Sequence, residues 1–299
     1  MKTGGSAGKL EARLKAVRNA VSRSMREGYP PHTAAASGGD ITLGTARSQA
    51  LIKNTPPASG GSRLVRHSFS EGGRGESCSE PWRPASTPTL IAVTKSHPAE
   101  VIEEAIRLGV TDFGENKVQE ARAKYPALKA KYPQIRLHLI GSLQTNKVKE
   151  ALALFEVIHT VDRPGLVDAI MKEVARGTWC VMREEQHAPG NNQTATPHLP
   201  RRFLIQVNTG REPQKGGVLP EDLPALLDYC QKKGLPIAGL MCIPPHHEPP
   251  APHFILLRQL AAGHGLRELS MGMSGDYEEA IAEGATMVRI GTALFGERG

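Results

Sequence analysis

The segment Thr89–Lys95 reads TLIAVTK and predicts the architecture of the chain around it. Its residues before Lys95 are apolar or β-branched, which is typical of a parallel strand buried on both faces. Pro98 then begins a helical pattern, and proline is favourable in a first helical turn. Lys95 is therefore predicted at the carboxyl end of a strand, where parallel α/β folds bind their ligands. The alternative is a lysine that simply leaves the strand for solvent.

Strand-like runs alternate with amphipathic helices from residue 89 to the end of the chain, in eight units. The predicted strands are 89–95, 111–114, 136–141, 155–161, 203–208, 237–241, 268–270 and 287–290. Regular alternation predicts a parallel sheet with helical crossovers, and eight units predict an α/β fold of the (β/α)8 TIM barrel type. A doubly wound open sheet is the alternative. No GxGxxG follows the first strand, which excludes its dinucleotide-binding version.

Three regions are predicted along the chain. Residues 1–31 contain an amphipathic helix, Lys9–Arg26, expected to pack on the barrel through its apolar stripe. Residues 32–88 are rich in Ser, Gly, Pro and Arg, which indicates a disordered or irregular insertion. Residues 89–299 form the barrel, with a Gly- and Pro-containing loop insertion at 178–200. The stripe of the first helix consists of Leu10, Leu14, Val17, Val21 and Met25.

The net charge of +7 comes entirely from residues 1–88, which hold 13 Lys and Arg against 6 Asp and Glu. Residues 89–299 hold 24 of each sign, so the barrel region is neutral and a nucleic-acid surface on it is not expected. No apolar run reaches the length of a membrane span. Four cysteines without CxxC spacing predict reduced thiols in a cytoplasmic protein, rather than disulfides or a zinc site. An Arg-rich amphipathic start could also be a transit peptide, but Glu11 and Glu27 oppose that.

The carboxyl ends of the predicted strands supply the candidate functional groups, because a barrel places its active site there. They lack the carboxylate cluster that a metal hydrolase requires, so no metal site is predicted. The candidates are Lys95, Asn116, His138, Gly141, Asn208, Met241, Cys242, Ser270, Ser274, Arg289, Gly291 and Thr292.

The last two units are suited to binding an anion. Ser270–Ser274 (SMGMS) leads into a helix and Arg289–Thr292 (RIGT) into a helical turn, so free backbone N–H groups and two hydroxyls could hold a phosphate dianion. The alternative is that Ser274 and Thr292 only cap their helices. A phosphate site opposite Lys95 is compatible with two Schiff-base chemistries, a sugar-phosphate aldolase or pyridoxal 5'-phosphate (PLP) held as an internal aldimine.

Five motifs, in this order, resemble the PLP homeostasis protein family. They are LIAVTK at 90–95, FGENKVQE at 113–120, HLIGSLQTNK at 138–147, LSMGMS at 269–274 and VRIGT at 288–292. The resemblance covers residues 89–299 apart from 178–200, and Lys9–Arg26 resembles the first helix of the family. It implies the alanine-racemase-like barrel, which is fold type III among PLP proteins.

The resemblance also implies a role for each of seven residues. Lys95 corresponds to the aldimine lysine, and Arg289 to the residue that faces the pyridine nitrogen. A permanent cation at that nitrogen disfavours pyridinium and weakens the cofactor as an electron sink, which argues against aminotransferase-type chemistry. The residues matching the phosphate-binding positions are Ser274, Gly291 and Thr292, and those expected to line the ring are Asn116 and His138. The alternative for Asn116 and His138 is that they only support a turn or the residues around the ring.

A carrier of PLP is favoured over an enzyme. A racemase of this fold needs a second base, a tyrosine that the partner subunit supplies in a dimer whose chains carry an additional β domain. This chain ends nine residues after Ile290. We therefore expect a cytoplasmic, monomeric protein that binds PLP for vitamin B6 and amino-acid homeostasis, with PLP-dependent apoenzymes as possible acceptors. The alternative is a PLP-dependent amino-acid racemase.

Overall fold

The computed structural model describes residues 4–27, 87–178 and 202–297. Residues 28–86 and 179–201 lie outside this description, and with them nearly all of the two predicted insertions at 32–88 and 178–200. Those two assignments, and the domain boundaries that depend on them, stay predictions.

Eight parallel strands close into a barrel in chain order, and β1 pairs with β8. The (β/α)8 prediction is confirmed, and closure rules out the open sheet. The strands are β1 (Thr89–Val93), β2 (Asp112–Glu115), β3 (Arg136–Leu139), β4 (Val157–Val161), β5 (Arg202–Gln206), β6 (Ile237–Met241), β7 (Glu268–Met273) and β8 (Met287–Ile290).

Helices precede the barrel and connect its strands. The first, α1 (Gly4–Glu27), comes before β1 and the others follow the strands. The predicted helix at 164–176 ends as an α-helix at Glu173 and continues as one π-helical turn, Val174–Thr178, before the second insertion. The remaining α-helices of the described ranges are α2 (Ala99–Arg107), α3 (Val118–Lys131), α4 (Val148–Leu154), α5 (Pro164–Glu173), α6 (Leu223–Lys233), α7 (Pro250–Gly263), α8 (Tyr277–Ala282) and α9 (Thr292–Phe295).

Side chains alternate between the two faces of the barrel wall. Leu137 and Leu139 of β3 point outward and join the apolar layer under the helices. His138 lies between them and points inward. The amino end of the barrel interior is filled by a separate apolar cluster of Ile91, Val157, Leu204 and Met287.

Helix α1 packs on α8 and α9, as its stripe predicted. Its apolar positions are buried as far as Val21, but Met25 is 39% exposed, so the buried stripe ends one turn earlier than predicted. The guanidinium of Arg18 ties the helix to the turn after α2 by donating to the carbonyl oxygens of Leu108 and Gly109, at 3.3 and 3.1 Å.

Two of the four cysteines fall within the described ranges, and both are buried free thiols, Cys230 and Cys242. Burial raises the pKa of Cys230 to about 11 and that of Cys242 to about 12, so both are protonated at neutral pH. Of the helices in the described part of the chain, none is both long and apolar enough to cross a membrane.

Candidate functional site

A cavity of about 700 Å³ opens at the carboxyl ends of the strands. Its size is that of a small-molecule site. Six of the seven predicted site residues line it, although they come from four different strand ends, so closure of the barrel brings them together. These six are Lys95, Asn116, Ser274, Arg289, Gly291 and Thr292.

The hydroxyl of Ser274 connects the last two units. Its Oγ accepts hydrogen bonds from the backbone N–H groups of Gly291 and Ala293, at 3.1 and 3.2 Å. Ser274 thus caps the start of α9 rather than its own helix α8. An oxygen that accepts two bonds still keeps its own proton as a donor, and Ser274 and Thr292 line the cavity together.

Lys95 lies in a tight turn directly after β1. The next residue, Ser96, has a backbone φ of +64°, a left-handed conformation that residues with a Cβ rarely adopt. The N–H of His97 closes the turn on the carbonyl oxygen of Thr94 at 3.0 Å. This turn carries Lys95 to the cavity wall.

Asn116 is held at the cavity by close backbone packing. A Cβ at position 141 would overlap the carbonyl oxygen of Asn116, and Gly141 is therefore required for the loops after β2 and β3 to approach each other. This gives Gly141 a structural reason for its place after the third strand.

Arg289 is the buried cation of the cavity. It is 3% exposed, and it donates to Ser270 Oγ at 2.7 Å and to the carbonyl oxygen of Cys242 at 2.8 Å. Burial lowers the pKa of Arg289 from its usual range, but an arginine remains charged at neutral pH. Two of its five donors are thus fixed in the barrel wall, and the others remain for a ligand.

A chain of hydrogen-bonded side chains runs from Arg289 through the barrel interior. His159 Nδ1 lies 2.8 Å from Ser270 Oγ, and His159 Nε2 lies 3.0 Å from His138 Nδ1. His138 Nε2 lies 2.9 Å from Asp112 Oδ1 at the amino end. Because a guanidinium can only donate, Ser270 accepts from Arg289. The hydroxyl of Ser270 can then donate to His159, His159 to His138, and His138 to the carboxylate of Asp112.

The pKa values of two members of this chain are both lowered, which leaves the histidine neutral and the carboxylate ionised. Burial, and then the positive charge of Arg289, hold the pKa of His159 well below its usual 6.5, so His159 is neutral. For Asp112, burial alone would raise the pKa, but hydrogen bonds from His138 and Arg136 outweigh it and lower the pKa to about 2. Asp112 is therefore ionised.

His138 is the predicted site residue that the structure does not bring to the cavity. It is one layer deeper, because side chains two residues apart on a strand share a face. The chain continues past His138 to Ile140, which is the next inward position and lines the cavity instead. Met241 and Cys242 do not line it either. Asn208 bonds within its own loop, where its side chain donates to the carbonyl oxygen of Glu212 at 2.9 Å.

Sequence reasoning missed much of the rest of the cavity wall, including Lys215, His246, Glu248, Asp276 and Glu279. The first three lie in the loops after β5 and β6, so their positions after strand ends were an available signal. None of the described tyrosines lines the cavity, and the described ranges contain no group of three or more His, Cys, Asp or Glu residues placed to hold a metal ion.

Comparisons with known proteins agree on one family. The family model described as alanine racemase, N-terminal domain, matches residues 83–299. The pyridoxal phosphate homeostasis protein of Aquifex aeolicus is 40% identical over 244 residues, covering 78% of this chain and 93% of that protein. The mouse protein of the same name is 34% identical over 233 residues, covering 72% and 78%.

Solved structures show the same relationship. PipY of Synechococcus elongatus PCC7942, in a structure with PLP bound, is 36% identical with a TM-score of 0.58, covering 70% of this chain and 92% of that one. An alanine racemase of Clostridium difficile has a TM-score of 0.53 at 11% identity, covering 71% and 53%, and shares the fold. This chain therefore belongs to the pyridoxal phosphate homeostasis protein family, which is built on the alanine racemase N-terminal domain.

Proposed function

We propose that this protein binds PLP in the cavity at the carboxyl end of the barrel and links the PLP aldehyde reversibly to Lys95. Its role is then to hold and deliver PLP for vitamin B6 and amino-acid homeostasis. The observation that carries this proposal is that a primary amine, a buried guanidinium and the paired loops of Ser274 and Thr292 line one cavity.

The donor set fits the chemistry of PLP. Ser274 and Thr292 supply hydroxyl donors for a phosphate, and the backbone N–H of Thr292 can join them, whereas Gly291 lines the cavity with its own N–H donated to Ser274 Oγ. Arg289 supplies a permanent cation, which we assign to the pyridine nitrogen. Asp276 also lines the cavity, but its carboxylate accepts from the backbone N–H of Met273 and so belongs to the turn before α8. The amide of Asn116 can donate to a ring substituent.

PLP supplies an aldehyde that condenses with a primary amine. With Lys95 as the neutral amine, a carbon–nitrogen double bond would form, and the aldehyde oxygen would leave as water together with the two protons of Nζ. Reversal needs only water. A guanidinium facing the ring nitrogen cannot accept the ring proton, so the bound group is a poor electron sink for further chemistry.

No tyrosine of the described residues lines the cavity, so a racemase built on this chain would need its second base from a partner subunit. Tyr125 is buried behind β1, where its hydroxyl bonds to Thr94 at 2.6 Å, and Tyr229 bonds to Asp168 on the surface. A racemase of this fold needs a second proton-transfer group on the far face of the ligand. No tyrosine of the described ranges is placed to serve as one.

The first test is chemical trapping. Purified protein incubated with PLP and reduced with borohydride should carry one ligand mass on Lys95, located by peptide mass spectrometry. The variant Lys95→Ala should lose both the visible absorbance of the linked ligand and the adduct. The control Lys117→Ala, at an exposed lysine, should retain both. A full adduct in Lys95→Ala would reject the assignment.

The second test separates carrier from racemase. Single enantiomers of amino acids, incubated with the PLP-loaded protein and resolved by chiral chromatography, should remain unchanged over hours. Rapid formation of the opposite enantiomer would establish the racemase instead. Loss of bound PLP to an added PLP-dependent apoenzyme, measured as recovered activity of that enzyme, tests delivery.

The proposal includes that the protein is a monomer and lies in the cytoplasm. Sedimentation should then give the mass of one chain, 32.2 kDa, with and without PLP. A concentration-dependent doubling of that mass would contradict the monomer.

A further inference from the structure

The ammonium group of Lys124 lies beneath the turn that carries Lys95. Lys124 is on α3, and its Nζ donates to the carbonyl oxygen of Thr94 at 3.0 Å and to that of His97 at 3.2 Å. These two carbonyls stand on either side of Lys95 and Ser96. One side chain from a neighbouring unit therefore holds both ends of the turn.

Two carboxylates complete the arrangement. Lys124 Nζ lies 2.7 Å from Glu115 Oε1 and 2.9 Å from Glu120 Oε1. Glu115 is fully buried at the end of β2, and Glu120 also accepts from the backbone N–H of Ser96. We call Lys124 with these two glutamates the Lys124 clamp. An ammonium has three protons for the four oxygens around it, so its hydrogen-bonding capacity is used within the clamp.

The buried glutamate shows why the ammonium is needed. Burial raises the pKa of Glu115, although hydrogen bonds and charge from Lys124 act to lower it. Its second oxygen, Oε2, has no hydrogen-bond partner among the described residues. Lys124 is therefore the cation that balances this carboxylate, and removing it would leave a buried charge without compensation.

The turn itself requires support. A residue with a Cβ in the left-handed region is destabilised unless its surroundings hold it there. Ser96 is held by Glu120 at its N–H group, and the carbonyls that flank it are held by Lys124. The clamp acts directly on the backbone that orients the side chain of Lys95.

We propose that Lys124 is a positioning residue for Lys95: by fixing residues 94–97 from behind, it places the amine where it can link to an aldehyde in the cavity. This inference rests on the proposed function. It predicts that loss of Lys124 affects the covalent link selectively and leaves binding through phosphate and ring intact. A merely structural role would weaken both kinds of binding together.

The experiment compares two ligands on matched variants. PLP can link to Lys95, whereas pyridoxamine phosphate has the same ring and phosphate but carries an amine in place of the aldehyde. Lys124→Met should weaken PLP binding about tenfold, the effect of losing about one charged hydrogen bond, and change pyridoxamine phosphate binding by less than about threefold. Lys129→Met is the control, because Lys129 lies on the same helix, is similarly buried and pairs with Glu156 instead.

A second readout needs no ligand. Hydrogen exchange of the peptide that contains residues 94–97 should be faster in Lys124→Met than in wild type, and unchanged in Lys129→Met. Equal loss of affinity for both ligands, or unchanged exchange and unchanged PLP affinity in Lys124→Met, would overturn the inference.

Glu120→Gln keeps the test decisive if Lys124→Met does not fold. This substitution is at a partly exposed position and leaves the buried Glu115–Lys124 pair in place. It should speed exchange at Ser96 and weaken PLP by about threefold, since one charged acceptor becomes neutral. Wild-type behaviour in both measurements would reject the clamp. Failure of the proposed function is distinguishable, because wild type itself would then form no borohydride-trapped adduct on Lys95.

Discussion

Asp112 is held as a carboxylate at the amino end of the barrel by two partners on the neighbouring strand β3. Arg136 on β3 approaches it with two nitrogens, each at 2.9 Å, and His138 completes the site from inside the barrel. The lowered pKa of Asp112, about 2, means that its ionised form is the one that the fold stabilises. A group whose pKa falls on folding stabilises the protein above its unfolded pKa and loses that contribution as the pH falls.

The pH dependence of stability should report this residue. A pKa shift from the unfolded value to about 2 corresponds to about 2 kcal/mol at neutral pH, of which about half is lost by pH 3. The unfolding free energy of wild type minus that of Asp112→Asn, from urea titrations at pH 7, 5 and 3, should therefore shrink as the pH falls. Asp168→Asn, at an exposed ion pair, should show only a small difference. A gap for Asp112→Asn that stays constant from pH 7 to pH 3 would contradict the assignment.

At this scale the sequence predicted Lys95, Asn116, Ser274, Arg289, Gly291 and Thr292 at the right end of the barrel. It could do so because the position of a residue after a strand is a local property. It left His138 either at the ring or behind it, because the depth of an inward side chain depends on where the strand stops facing the interior. That depends on the neighbouring strands, and the sequence alone does not give it.

Strand β6 illustrates a constraint between elements. Gly239 pairs with Glu268 of β7, and a Cβ at position 239 would overlap the backbone carbonyl of Glu268. The two strands approach each other more closely there than a larger residue allows. The backbone of Glu268 belongs to the sheet and cannot move away without disturbing the barrel.

Gly239→Ala should therefore destabilise the protein by about 3 kcal/mol, as overpacking against a fixed backbone does. Gly263→Ala is the matched control, because nothing lies within 4 Å of a Cβ at the end of α7. Alanine there should be neutral or stabilise by up to about 1 kcal/mol, since glycine is a poor helix residue. Denaturant titration of both variants measures the difference. Equal stabilities would show that β6 and β7 can separate without cost.

For the whole molecule, α1 is the helix before the barrel that packs on the helices of the last two units, α8 and α9. Leu14 is 2% exposed and belongs to the same apolar cluster as the layer between barrel and helices. Because α1 packs on α8 and α9, its docking also supports the loops that carry Ser274 and Thr292.

Leu14→Ala should cost about 3 kcal/mol of unfolding free energy, the range found for buried leucines. Lys15→Ala, the neighbouring exposed position, should change it by less than about 0.5 kcal/mol. Thermal or chemical denaturation of the two variants checks this. A Leu14→Ala protein as stable as wild type would mean that α1 does not dock on the barrel in solution.

The sequence by itself determined the eight strand–helix units, the closed barrel, the lysine after β1 and the anion-binding character of the last two units. The units and the residues at strand ends follow from local patterns of hydrophobic period. The closed barrel follows from the number and regular order of the units. Only the tertiary structure decided which side chains meet inside the barrel. Asp112 and Arg289 are 177 positions apart, and the hydrogen bonds between them run through His138, His159 and Ser270. Such a chain exists only after closure, because contacts between distant strands leave no periodic signal in the sequence.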